Sequence, residues 1–217
     1  MDKNQQMLIS EKKTKAMIFN FTQNYQFCTR MKLNDQNIEI VNKMKILGAV
    51  ITDSFSWDEN CAALIKNVNA RMQLLQKGWS FGSNYDEMVH LWKVYCLSIL
   101  EQSCVVWGGS LTNENVNDLE RTQKTFCKLI MEEDYGNYIN ALRVLGLTTL
   151  ETRRRKLTSD FARRSISDNK LRDLSPIRQK VHKMETRNKE QFKVNHANTN
   201  RYSNSAIPTM QRLLNET

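Results

Sequence analysis

The chain has 217 residues, 40% of them hydrophobic and 25% charged, and a formal net charge of +9 at pH 7. That apolar content supports one substantial core or two small ones and excludes a disordered chain. No run approaches the roughly 20 apolar residues of a spanning helix and no signal-peptide pattern opens the sequence, so the expectation is an intracellular protein, cytoplasmic or nuclear, with an acidic partner and no membrane.

In chain order, the first pattern is strand-like. "KTKAMIFNF" runs from Lys13 to Phe21. From Tyr25 to Leu33 the residues Tyr25, Phe27, Met31 and Leu33 alternate with Gln26, Cys28, Arg30 and Lys32, the period of a half-buried strand. Asn34, Asp35, Gln36 and Asn37 supply a turn before a third short alternating run, and "KMKILGAVIT" reads as an apolar strand broken by Gly48. Strands are therefore expected only between about Thr14 and Thr52, antiparallel and joined by short turns. A bare edge on the first of them favours self-association.

After Thr52 the period changes to that of helices. Ser56 and Glu59 match a capping box, followed by Cys61, Leu64, Val68, Met72 and Leu75 at helical spacing, with Gly78 in the place of a C-terminal cap. A second helix is expected from about Tyr85 to Ser103 with Met88, Trp92, Tyr95, Cys96 and Ile99 as its stripe, broken by "WGGS" at Trp107–Ser110. Val116, Leu119, Phe126 and Ile130 mark a third, "YINALRVLG" a short fourth, and Thr148 with Glu151 a capping box opening a fifth. Beyond Ser175 the chain is polar, and Pro208 can open a last short helix. The fold expected is α+β and predominantly α-helical, in three parts: residual strands over 1–55, a helical region over 56–175, and a basic, polar tail over 176–217.

Chemistry-bearing motifs are sparse. The five cysteines form no CxxC pair and read as reduced core thiols, and the three histidines stand too far apart to build a zinc site. No metal site is expected. Phosphate-cradling, nucleophile-elbow and zinc-protease motifs are absent as well.

Charge is informative. Between Glu151 and Lys193, fourteen basic and six acidic residues leave +8 of the chain's +9. In the fifth helix Leu150, Leu157 and Phe161 fall on one stripe, which turns Arg153, Arg155, Lys156 and Arg163 away from the core and leaves Arg154 between a packing role and a carboxylate partner. Arginine forks suit phosphates, while a basic amphipathic helix also serves simply as a solvated face. Lys66, Arg71 and Lys77 give the first helix a sparser basic set. Trp79 and Phe81 after it read as hydrophobic plugs, with stacking platforms as the alternative.

Four stretches together resemble the carboxyl-terminal part of a jockey-like non-LTR retrotransposon reverse transcriptase. "KKTKAMIF" at Lys12–Phe19 is similar to the late palm motif, and "VNKMKILGAVITDSFSW" at Val41–Trp57 to the primer-grip hairpin with its Leu47 and Gly48. "LEQSCVVWGGSLTNENVNDLERTQKTFCKLI" and "ALRVLGLTTLETRRRKLTSDFARRS" are similar to the thumb and post-thumb segments, followed by "SAIPTMQRLLN". The resemblance implies late palm strands, a thumb-like helical bundle, and a hairpin and thumb that hold a primer–template duplex. The nucleic-acid-binding residues it implies, together with the charge pattern, are Lys13, Lys15, Lys43, Lys45, Lys66, Arg71, Arg153, Arg154, Arg155, Lys156, Arg163 and Arg164. Leu47 and Gly48 would be grip-like, and Lys13 would be the late-palm lysine.

The aspartates that hold the two magnesium ions of such a polymerase have no counterpart, since no Asp-Asp pair occurs, and "MEEDY" at Met131–Tyr135 reads as solvated surface. Alone, the chain is expected to extend no primer and to need no cofactor, magnesium belonging only to a complete polymerase. The expectation is a non-catalytic portion of an RNA-directed DNA polymerase that binds RNA or an RNA–DNA hybrid with low sequence specificity. Its other partners would be the rest of such a polymerase, or a second copy through the strand edge. A helical protein-interaction module put to a new use, or a relic reading frame without selected function, are the alternatives.

Overall fold

A computed structural model describes residues 10, 13–20, 30–34, 36–168, 171, 178–180 and 190–216, with the backbone only at 178–180 and 190. The fold is α+β and mostly helical, in two compact units, Met1–Asn60 and Cys61–Thr217.

In the first unit β3 (Gln36–Ile40) lies between β1 (Lys15–Ala16) and β2 (Met31–Leu33). The β2–β3 pair is antiparallel, with Leu33 opposite Gln36 and Asn34 at φ 48°, a left-handed turn position that asparagine tolerates. Contrary to the antiparallel expectation, β1 runs parallel to β3, Lys15 opposite Glu39. Tyr25–Thr29 of the expected second strand lie outside the described residues. The stretch that periodicity read as one broken strand is a hairpin of β4 (Lys43–Ile46) and β5 (Ala49–Thr52), as the resemblance implied for Val41–Trp57. Leu47 and Gly48, at φ 48° and 93°, form its two-residue turn, the left-handed pair whose twist matches that of the strands. Phe19 stacks on Phe55, ring centroids 4.3 Å apart.

Helix α1 (Asp58–Ser80) opens at the end of this unit. Ser56 Oγ accepts from the Asp58 N–H at 3.3 Å, and Glu59 is instead held by Lys43 Nζ at 3.3 Å, so the expected capping box does not form. The predicted stripe is the buried one: Cys61, Leu64, Val68 and Leu75 are inside, Met72 half-buried. The helix runs through Gly78. Its end is set by Gly82, whose φ of 86° and N–H donated to Trp79 O at 3.0 Å supply the left-handed cap.

The second unit continues with α2 (Tyr85–Leu91), capped by a reciprocal Asn84–Glu87 box, a π-helical stretch Trp92–Leu97, and α3 (Ser98–Leu100). The wide π turn shifts the phase of the stripe, so Cys96, Leu97 and Leu100 are buried while Tyr95 faces outward. Ser103, at φ 54°, breaks the helix a turn before the predicted "WGGS". There follow α4 (Cys104–Trp107) with a 3-10 turn Gly108–Ser110, α5 (Asn113–Met131) with a 3-10 turn Glu132–Asp134, and α6 (Tyr138–Val144). Gly146, at φ 59°, donates to Arg143 O while Leu147 donates to Leu142 O at 2.9 Å, a Schellman stop for α6.

Helix α7 (Leu150–Ser167) packs on α4, α5 and α9. Strands were not expected beyond Thr52, yet β6 (Arg178–Lys180) and β7 (Glu190–Phe192) form a short antiparallel pair. After α8 (Asn200–Ser203), α9 (Ala206–Asn215) buries Met210 and Leu214 against Ala162 of α7, with Phe161 and Phe192 alongside. Asn215 Oδ1 accepts from Phe192 N–H at 2.8 Å and its Nδ2 donates to Phe192 O at 3.0 Å, which ties the end of α9 to β7.

Candidate nucleic-acid interface

Helix α7 carries half of the predicted nucleic-acid-binding cations, Arg153, Arg154, Arg155, Lys156, Arg163 and Arg164. Its N-cap is Thr149, one residue past the predicted Thr148, with its Oγ1 accepting from Thr152 N–H at 3.2 Å. The first free N–H, on Leu150, is taken by Glu120 of α5, whose two carboxylate oxygens lie 3.2 and 3.1 Å away. A carboxylate there also opposes the positive end of the α7 dipole. Tyr138 of α6 donates its hydroxyl to the same Glu120 and accepts from Gln123 Nε2 at 2.9 Å, and Gln123 donates at 2.9 Å to Thr148 O. Burial, aided by the hydrogen bond to Glu120, pushes the Tyr138 phenol far above its ordinary range. One carboxylate thus joins α5, α6 and α7 and fixes where α7 begins.

The buried side of α7 consists of Leu150, Arg154, Thr158, Ala162 and Ser165. Leu157, predicted for the stripe, is half-buried beside it. The two hydroxyls are satisfied within the helix, Thr158 Oγ1 donating to Arg154 O at 2.9 Å and Ser165 Oγ to Ala162 O at 2.7 Å.

Arg154 leaves the set of phosphate-contacting residues, because it is only 4% exposed and its guanidinium lies 6.0 Å above the Trp107 ring. Its stem runs past Gly108, where an added Cβ would stand an ordinary 3.5 Å from Arg154 Cδ. Burial pulls its pKa down, and Glu120 opposes the shift.

The remaining cations of α7 differ in freedom. Arg153 makes a two-pronged contact with Glu101, through Nε and, at 3.2 Å, through Nη2 to Oε2. Arg155 pairs with Glu216 at the end of α9, both exposed. Lys156 is exposed and has no ion-pair partner among the described residues. Arg163 meets Asp160 only at 3.8 Å, and Arg164 Nε donates to the Asp160 backbone oxygen at 3.3 Å. Lys156 and Arg163, seven residues apart, share the side opposite the buried stripe, about 10.5 Å apart along the axis.

Lys66 and Arg71 are exposed on α1. In the first unit Lys15 pairs with Glu39 at 2.9 Å and Lys43 with Glu59, while Lys13 and Lys45 are exposed. Leu47, named with Gly48 as grip-like, is 91% exposed at the tip of the β4–β5 hairpin. The predicted basic residues from Lys170 to Lys189 have no described side chains.

The pair read as plugs divides. Trp79 stacks on Tyr85 at 5.6 Å and donates Nε1–H to Glu132 at 2.7 Å, whereas Phe81 plugs nothing and is 88% exposed. The acidic run is more than solvated surface, since Asp134 also accepts from the Tyr85 hydroxyl at 3.3 Å. Burial pushes the thiols of Cys96 and Cys104 up to about 11 and that of Cys127 to about 12. Such thiols are poor nucleophiles at neutral pH. Cys28 lies outside the described residues. Among the described residues no group of three His, Cys, Asp or Glu is placed to hold a metal, and no helix is long and apolar enough to cross a membrane.

No family model, no curated protein and no solved structure matches the chain.

Proposed function

We propose that the chain binds the phosphate backbone of RNA or an RNA–DNA hybrid with low sequence specificity, as the non-catalytic, thumb-like helical part of a reverse-transcriptase-like protein. The observation that carries this reading is the phase of α7. Its inner side is committed to packing, and its outer side offers Lys156, Arg163 and Arg164 with Arg155 at the border. Cations so placed neutralise phosphates and release counterions without reading bases. Arg155 joins them readily because its pair with Glu216 is exposed, and exposed pairs contribute only about 0–1 kcal/mol. Arg153, half-buried on Glu101, stays a structural contact.

Three to four phosphate contacts give a slope of log affinity against log salt of roughly −3. Replacing Lys156, Arg163 and Arg164 together with glutamine is expected to flatten that slope by about 0.9 per lost contact and to leave sequence preference unchanged. Helix content should persist, because glutamine is a good helix former. Fluorescence anisotropy of a labelled hybrid across a salt series reads the slope. An unchanged affinity and slope in the triple variant would make the α7 cations a solvated face.

A further inference from the structure

We propose that Phe81 is a stacking platform for an unpaired nucleobase, an inference that rests on the nucleic-acid reading above and adds to it a preference for single-stranded segments. The Phe81 N–H donates to Lys77 O at 3.1 Å and to Gly78 O at 3.2 Å, so the residue continues the last turn of α1 before Gly82 turns the chain away. Its ring is 88% exposed. Leu74, 64% exposed and seven residues earlier, lies on the same side of the helix. At 100° per residue Lys77 falls to one side of the Leu74–Phe81 line and Arg71 to the other. From Cys61 to Tyr85 the sequence has no acidic residue, and the first is Asp86.

A flat, water-exposed ring flanked by cations and without a nearby acid in its own helix is complementary to a ligand that is both anionic and flat. A single strand meets both conditions: cations hold its backbone and the phenyl ring takes the face of a base, in a manner that tolerates any sequence. A paired base within a duplex keeps its faces in the stack and gains nothing from the ring. Trp79 is not the platform. Two residues away on the helix it points about 200° from Phe81, and its ring is occupied by Tyr85 and Glu132.

The test compares a labelled single-stranded RNA with a blunt hybrid of the same length, for the parent chain, Phe81→Ala and Phe81→Tyr. Loss of the ring is expected to weaken single-strand binding roughly 5- to 100-fold, the range of one lost base–aromatic stack. Tyrosine should restore it, and hybrid binding and the unfolding midpoint should stay at the parent's values. If the parent binds single-stranded RNA and Phe81→Ala binds it equally well, the platform is refuted while the α7 interface stands. If the parent binds neither ligand, the proposed function fails and the platform with it. If Phe81→Ala loses hybrid and single strand alike, the ring is no platform for unpaired bases.

Discussion

Replacing Glu120 with alanine is expected to lower the unfolding free energy by about 3 kcal/mol, because one buried and one half-buried donor lose their acceptor. The Leu150 N–H is the first of α7 and has no partner within the helix, and the Tyr138 hydroxyl is aimed at the same carboxylate. Each donor left unsatisfied costs about 1–3 kcal/mol, and the favourable charge at the N-terminus of α7 goes too. Glu120→Gln keeps the shape and one acceptor oxygen, so roughly half the loss is expected. Tyr138→Phe removes one donor and leaves Gln123 with Thr148, and should cost about 1 kcal/mol. Denaturant titration ranks the three. A loss below about 1 kcal/mol for Glu120→Ala would mean that this carboxylate does not define the start of α7.

The second large effect is steric. A Cβ on Gly109 would lie 2.7 Å from Thr209 Oγ1 and 2.8 Å from the Asn204 backbone oxygen. The hydroxyl can rotate aside, but the carbonyl belongs to the turn between α8 and α9 and cannot move without the helices. Gly109→Ala is therefore expected to cost about 2 kcal/mol, in the range of overpacked sites. Gly108→Ala is the control. Its nearest contact would be an ordinary 3.5 Å from Arg154 Cδ, and it should change stability by under about 1 kcal/mol. Equal effects at the two neighbouring glycines would contradict the close approach of the α8–α9 turn to the end of α4. The carboxyl-terminal helix packs on α7, so loosening it should also free Arg155 from Glu216.

How far the sequence revealed these features depends on the distance over which each is decided. The stripe of α1 was legible because Cys61, Leu64, Val68, Met72 and Leu75 keep a 3.6 period over four turns and nothing interrupts it. In α2–α3 the same reasoning placed Tyr95 inside and missed Leu97 and Leu100, since a π turn shifts the phase and leaves no residue signature. Gly78 looked like a cap on composition, but only the left-handed φ of Gly82 makes the stop. Periodicity read one strand through Gly48 because leucine disfavours the left-handed conformation that Leu47 adopts, whereas the resemblance already implied the hairpin found there.

The basic character of α7 was plain in the sequence, and the freedom of each charge was not. Arg153 and Arg155 are engaged by Glu101 and Glu216, 52 and 61 residues away, and such pairings depend on how α7 packs against other elements. Arg154 is buried with its guanidinium over Trp107 of α4, a relation no periodicity contains. Glu120 carried no signal at all. It sits beside Leu119 at the border of the α5 stripe, where a glutamate ordinarily faces water. The last short helix expected at Pro208 is α9, and Met210, Leu213 and Leu214 give it a buried face at helical spacing.

The central claim, that the outer side of α7 lies against phosphates, is tested most directly by lysine acetylation in the presence and absence of a bound RNA–DNA hybrid at low salt. Lys156 and Lys93 are both exposed, and Lys93 lies on the π-helical stretch away from α7 in sequence. With hybrid bound, mass spectrometry should show Lys156 acetylated several-fold more slowly than in the free chain and Lys93 modified at its free rate. Acetylation of Lys156 at an unchanged rate while the hybrid remains bound would contradict the claim.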